Sequence, residues 1–227
     1  MAEPDFLRAT RAAYDAVAAD YAVRFRDELA DRPLDRAMLA GFAELVRAVG
    51  AGPVADIGCG TGRVTALLSS LGVPAFGVDL SPQMVAVARR SQPDLRFELG
   101  SMLALDLPDG CLGGVVAWYS TIHVPDDRLP AVFAEFCRVL APRGLALLAF
   151  QSGDDTLHLT EALGHPVSLA VRRRRPEHVA ALLTQAGLPV QARLIREPDN
   201  DGRFPERTPQ AFVLARKPAS PRPSDRG

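Results

Sequence analysis

Apolar side chains recur at three- and four-residue spacing from Phe6 to about Phe25, and again from about Leu34 to Val49, with Ala, Leu and Arg prominent in both stretches. That period predicts two leading helices. The pattern then changes to short apolar runs: Val54 to Ile57, Ala75 to Val78, Arg96 to Leu99, Gly114 to Trp118 and Leu145 to Phe150. Stretches of helical period separate these runs, and strands alternating with helices predict a mostly parallel sheet covered on both faces. Punctuation agrees. Ser81-Pro82 sets a capping hydroxyl and an N1 proline before Gln83 to Arg90, and Pro176 opens a stretch to Ala186 that Gly187 closes. Two late runs, Val190 to Arg196 and Gln210 to Arg216, flank the polar segment EPDNDGRFPERTP and predict a terminal hairpin with a long connection. The fold class is therefore α/β: a doubly wound, mostly parallel sheet with N-terminal helices and a C-terminal antiparallel hairpin.

Composition narrows the function classes. A chain of 227 residues with 48% apolar residues suits one well-filled core with small additions. A formal net charge of -1 and a pI near 6.4 lack the basic excess of a nucleic-acid-binding surface, so no nucleic-acid partner is expected. Cys59, Cys111 and Cys137 are odd in number and lack the close pairing of a zinc site, which fits a reducing cytoplasm. No apolar run approaches the roughly 20 residues that a membrane helix needs, and no membrane partner is expected. The run PASPRPSDRG after Lys217 is rich in proline and serine and is expected to be a disordered tail over 218–227.

The chemistry concentrates first in VADIGCGTG at 54–62. This glycine loop joins a predicted strand to a predicted helix, the crevice where open α/β sheets bind ligands. A dinucleotide loop requires G-x-G-x-x-G, but the third glycine here is Gly62 and Arg63 follows it. The carboxylate of Asp56 is disfavoured beside a pyrophosphate and compatible with a ligand carrying an ammonium and a sulfonium.

This loop, followed 21 residues after Gly58 by Asp79 in F-G-V-D-L-S, resembles the first two cofactor motifs of class I S-adenosylmethionine (SAM) dependent methyltransferases. FELGSMLALDLPDG at 97–110 is similar to the adenine-side segment, and GVVAWYSTIH at 114–123 to the strand and loop beside the reacting methyl. EFCRVLAPRGLALL at 135–148 resembles the family's helix, turn and fifth strand, and YDAVAADY at 14–21 gives a weaker echo. The likeness implies a Rossmann-like methyltransferase fold, SAM as cofactor and S-adenosylhomocysteine as product. It also implies roles residue by residue. Gly58 and Gly60 admit the amino acid part of SAM, with Cys59 as a small residue beneath it, and Gly62 lets helix and strand pack closely. Asp56 orients the ammonium, directly or through water, and Asp79 accepts hydrogen bonds from both ribose hydroxyls. Leu80, Met84, Met102 and Leu103 form the adenine slot, with the backbone of Ser101 and Met102 at its edge. Tyr14 or Tyr21 covers the methionine end. Ser101 stands where the family often has an acid, and Gly113 and Gly114 stand where an acid often begins the fourth strand.

On the acceptor side, Trp118 and Tyr119 either face the transferred methyl or pack in the core. His123 is read as a general base or as a structural histidine bonded to its loop. The family commonly builds its substrate-facing cap where residues 151–175 stand, which makes Gln151, His158 and His165 candidate acceptor contacts. This cap is expected to be loop-like and, with the leading helix, to move more than the sheet. The two histidines are seven apart with no third ligand at a usual spacing, so no metal is expected. The run Arg172 to Arg175 either anchors an acidic substrate or is a solvated face. The organisation expected is N-terminal helices over 1–49 contributing to a lid and acceptor pocket, and a SAM-binding core over 50–217. The function expected is methyl transfer to an O, N, S or C atom of a small-molecule acceptor by a cytoplasmic monomer or homodimer. The alternatives are an RNA- or protein-directed methyltransferase and a non-catalytic SAM-binding protein.

Overall fold

The computed structural model describes residues 3–201 and 203–219. Most of the expected tail, residues 220–227, lies outside the described residues. The leading helices are α1 (Asp5–Arg24) and α2 (Pro33–Val49), and β1 (Val54–Ile57), α3 (Arg63–Ser70), β2 (Ala75–Asp79), α4 (Pro82–Ser91) and β3 (Arg96–Leu99) follow. Next come β4 (Leu112–Trp118), α5 (Leu129–Val139) and β5 (Leu140–Gln151), then β6 (Thr156–Ala162), β7 (His165–Arg172), α6 (Pro176–Gln185), β8 (Val190–Arg196) and β9 (Gln210–Arg216).

Seven strands form one sheet in the order β3-β2-β1-β4-β5-β9-β8. The first five are parallel, and β9 runs antiparallel between β5 and β8. Chain order reverses at β1, which pairs β2 on one side and β4 on the other, so the switch-point crevice opens beyond Ile57. Strand parity divides the core into two layers. Ala55, Ile57, Val115 and Ala117 pack with Phe133 and Phe136 of α5, whereas Val54, Val116 and Leu147 pack with Leu39 and Phe42 of α2 and Leu68 of α3. Asp56 shares the parity of Val54 and is carried beneath α3.

Two elements differ from the sequence expectation. The helix–turn–strand reading of EFCRVLAPRGLALL becomes a helix running directly into a longer β5. Its pairing partner on β4 shifts from Leu112↔Leu140 to Gly114↔Leu145, so Ala-Pro-Arg-Gly bulges within the strand rather than separating it from the helix. The segment 151–175 is not loop-like: β6 and β7 form a separate antiparallel hairpin. Its two-residue turn is Leu163-Gly164, both at positive φ (51° and 81°), the arrangement that matches strand twist in tight hairpins. Alternation was present in the sequence. Val167, Leu169 and Val171 recur at period two, and the last two are buried.

Candidate functional site

The ends of β1, β2 and β4 surround a cleft holding about 810 Å³ of open space, its mouth included. Asp79, the last residue of β2, organises its floor. One carboxylate oxygen accepts from the Gly60 N–H at 2.7 Å and the other from the Ser81 N–H at 2.8 Å. Burial raises its pKa while these backbone donors oppose the rise. Each oxygen keeps lone-pair capacity for a further donor. Gly60 lines the cleft, and a Cβ built there would meet no protein atom within 4 Å, which leaves room for a ligand. Gly58 also lines it, but its glycine serves another contact: at φ +77°, a Cβ would stand 2.3 Å from the Ser120 Cβ. Ser120 itself donates to the Ile57 carbonyl at 2.6 Å, which holds the β4 loop against the glycine loop.

The other expected cofactor residues divide into two groups. Leu80, Met84, Ser101 and Met102 line the same cleft, and Trp118 stands at its β4 side, packed on Phe212 at 5.4 Å between ring centroids. Asp56 and Cys59 do not line it. Asp56 is fully buried, accepts from the Thr65 hydroxyl at 2.7 Å, and leaves Oδ1 without a partner among the described residues. Burial drives its carboxyl up to about 7, although the Thr65 hydrogen bond favours the anion. Cys59 packs with Val85, Ala88 and Phe97, and its sulfur lies 2.6 Å from where a Cβ on Gly77 would sit. Burial also raises the Cys59 thiol pKa, so the thiol is inert.

Helix α1 crosses the cleft. Tyr14 and Tyr21 line it with Phe6, Leu7, Thr10 and Arg11, four residues that helical periodicity assigned to no role. Asp15 was also missed: it accepts from the Ser81 hydroxyl at 2.5 Å and the Gln83 N–H at 3.1 Å, tying α1 to the start of α4. Ser81 meanwhile caps that helix by accepting from the Met84 N–H. No local spacing signals contacts this distant in sequence.

His123 sits in a one-turn 3-10 helix after β4, 5% exposed, and lines the cleft. Its Nδ1 lies 2.9 Å from the Ala170 carbonyl and its Nε2 2.8 Å from the Tyr14 hydroxyl. A carbonyl only accepts, so Nδ1 carries the proton and Nε2 accepts from Tyr14. Burial lowers the imidazole pKa to about 4, despite the bond to Ala170. Tyr119, also lining the cleft, adopts φ 53°, a left-handed backbone that a bulky residue holds only under constraint; its phenol pKa is pushed up by burial.

The three expected acceptor residues are dispersed. His158 lines a smaller recess beside the cleft. His165 pairs with Asp20 of α1 at 2.7 Å, and Gln151 ends β5 opposite Gln210, where its carbonyl accepts from the Arg174 N–H. Among the described residues, no group of three or more His, Cys, Asp or Glu side chains is placed to hold a metal ion.

Sheet order, glycine loop and acid-ended second strand are those expected of a class I SAM-dependent methyltransferase fold, and residues 54–144 match the family described as "Methyltransferase domain". The chain is 42% identical over 149 residues to trans-aconitate 2-methyltransferase of Rhizobium meliloti, covering 63% of this chain and 52% of that protein. It is 33% identical over 107 residues to malonyl-[acyl-carrier protein] O-methyltransferase of Serratia marcescens, covering 47% and 41% respectively. These matches thus span about half the length of the curated relatives or less. Its fold is similar to that of magnesium protoporphyrin IX methyltransferase from Synechocystis PCC 6803, solved with bound SAM: TM-score 0.68, 16% identity, covering 96% of this chain and 99% of that one.

Proposed function

We propose that the protein binds SAM in the cleft and transfers its methyl group to a carboxylate oxygen of a small organic acid. The cofactor supplies a methyl on a sulfonium, a strong electrophile that leaves as a neutral thioether. Asp79 would hold the ribose hydroxyls, the glycine loop the amino acid portion, and Leu80, Met84 and Met102 the adenine. Tyr14, its proton committed to His123, would offer its oxygen as an acceptor toward the cofactor's ammonium.

The observation that carries the carboxylate reading is the state of His123. Its Nδ1 proton is fixed on Ala170, its Nε2 already accepts a hydrogen bond, and its pKa near 4 makes it a poor acceptor for a proton from an alcohol or amine. Tyr14 and Tyr119 have pKa values raised by burial, so neither phenol supplies a base. A carboxylate nucleophile needs none. Such a reaction depends on alignment and on excluding water, effects worth about 7 to 11 kcal/mol when geometry is favourable. Trp118, Tyr119 and Tyr14 wall the cleft for that purpose. Trans-aconitate and the malonyl group, named as acceptors of the two relatives, both carry free carboxylates, which supports the same reading.

The test uses methyl-labelled SAM with a panel of small acids that includes trans-aconitate. Carboxyl methylation yields esters that release labelled methanol in alkali, whereas N-, C- and ether O-methyl groups stay attached. Product whose label survives alkali would overturn the carboxylate assignment and leave methyl transfer itself standing.

A further inference from the structure

Three of the four consecutive arginines that end the β6–β7 hairpin carry a carboxylate partner. Arg173 pairs with Asp155 at 2.9 Å, Arg174 with Asp126 at 2.8 Å and Arg175 with Asp154 at 2.6 Å. Arg172 has none within 4 Å among the described residues; it donates to the His123 carbonyl at 3.0 Å. A guanidinium has five N–H donors, so this bond leaves most of them unused. The side chain is half-buried and lines a recess of about 540 Å³, its mouth included.

That recess has a lining of polar and apolar side chains that includes a cation. It lies between the first turns of α1 and the hairpin, and it shares Phe6, Thr10 and His123 with the main cleft. Besides Arg172, its polar lining comprises His123, His158 and the hydroxyl residues Thr10, Thr160 and Ser168, and among the described residues no Asp or Glu lines it. His158 pairs with Ala170 and Thr156 with Arg172, so His158 and Arg172 are diagonal neighbours on one face of the hairpin, roughly 7 to 8 Å apart between such positions. The main cleft is different in charge: Asp79 is in its lining, and Arg11, the one arginine lining it among the described residues, is held by Glu3.

We infer that Arg172 and His158 form a distal acceptor subsite, which binds a second carboxylate of the acceptor while the first stands in the main cleft. The preferred acceptor is then a di- or tricarboxylic acid. An arginine fork matches a carboxylate bidentately, and partial burial strengthens that contact. The inference rests on the proposed carboxylate acceptor, but it concerns binding, so it can be measured without turnover.

The experiment is calorimetry on full-length protein saturated with S-adenosylhomocysteine. Succinate, glutarate and adipate are titrated against their monoamides, which replace one carboxylate by a neutral group of nearly the same shape. Wild type should bind the best dicarboxylate roughly ten- to a hundredfold more tightly than its monoamide. Arg172→Gln should bring that ratio close to one, Arg172→Lys should retain part of it, and Arg175→Gln, changed outside the recess, should keep it. Thr160→Glu adds a negative charge at an exposed position of the recess lining and should abolish the preference without touching the His123 contact. Wild type showing no preference, or Arg172→Gln and Thr160→Glu both preserving it, would overturn the subsite. A preference that depends on Arg172, in a protein that forms no alkali-labile methyl product, would instead keep the subsite and overturn the proposed reaction.

Discussion

The Tyr14 hydroxyl and Nε2 of His123, 109 positions apart in sequence, stand 2.8 Å apart and join α1 to the loop after β4 across the cleft. Because Nδ1 donates to Ala170, the direction of this bond is set from outside the pair. Tyr14 donates, and its oxygen remains an acceptor. The pair closes one wall of the cleft and engages the nitrogen that a general base would use. His123 therefore positions Tyr14, and Ala170 of the hairpin positions His123.

His123→Ala should lower kcat less than tenfold, with wild-type kcat flat between pH 6 and 9, because carboxylate methylation takes no proton from the acceptor. It should destabilise the protein by roughly 1 to 3 kcal/mol by leaving Tyr14 and the Ala170 carbonyl unpaired. The pH dependence of that deficit has a definite sign. The folded pKa of about 4 lies below the ordinary 6.5, so the unfolded chain takes up the proton first and stability falls as pH drops from 6.5 toward 4. The total loss is about 3 kcal/mol. The wild-type advantage over His123→Ala should thus shrink at pH 5 relative to pH 8 in denaturant titrations. A kcat loss of a hundredfold or more with disappearance of a pH limb would restore the general base.

Asp79→Ala removes the acceptor for two backbone donors and for the ribose contact. Its affinity for S-adenosylhomocysteine should fall by about 2 to 3 kcal/mol, a charged double hydrogen bond. Asp79→Asn should recover little, since an amide group can accept from Gly60 or from Ser81 but not from both. Unchanged calorimetric affinity in either variant would reject the cofactor site.

How much of this was legible in the sequence depended on whether a feature was local. Val54–Ile57, Arg96–Leu99 and both terminal strands fall on the expected residues because period, glycine turns and proline starts act over a few positions. Asp79 was found by its spacing from the glycine loop. The hairpin over 156–172 was missed because the whole segment was treated as one insertion, although its alternation was readable. The Asp15–Ser81 tie, the Tyr14–His123 bond and the isolation of Arg172 were not readable, since each depends on which distant element the fold brings alongside. Arginine composition alone cannot distinguish the three guanidiniums neutralised by Asp155, Asp126 and Asp154 from the one that has no carboxylate partner among the described residues.

The long connection between β8 and β9 is held by buried charge. Arg196 bridges Asp35 of α2 at 3.1 Å and Glu206 of the connection at 2.7 Å, and Arg32 reaches Asp199 at 2.6 Å. Arg196→Gln leaves Asp35, 4% exposed, without its cation, and breaking a buried pair on one side costs about 3 to 5 kcal/mol. The variant should lose that much in denaturant titration, and proteolysis should cut the connection first. A stability within about 0.5 kcal/mol of wild type, the range of ordinary surface substitutions, would show the network to be dispensable.

Asp56 should couple pH to both folding and cofactor binding. Its pKa of about 7 in the folded chain exceeds the ordinary 3.8, so the folded state binds the extra proton. The stability this proton provides is fully present below pH 4 and is lost as pH rises through 7, about 4 kcal/mol in all. Asp56→Asn cannot titrate. Its stability relative to wild type should therefore improve from pH 5 to pH 8, where wild type must bury an anion whose Oδ1 has no partner among the described residues. A cation in the neighbouring cleft favours that anion and displaces the proton. SAM binding should then release part of a proton near pH 7, seen as a dependence of calorimetric enthalpy on the buffer's ionisation heat, and affinity should rise from pH 6 to 8. In Asp56→Asn both effects should vanish, while the backbone cradle and Asp79 still bind the cofactor. If wild type and variant show the same proton release, the titrating group lies elsewhere and Asp56 serves only to anchor Thr65 of α3 to β1.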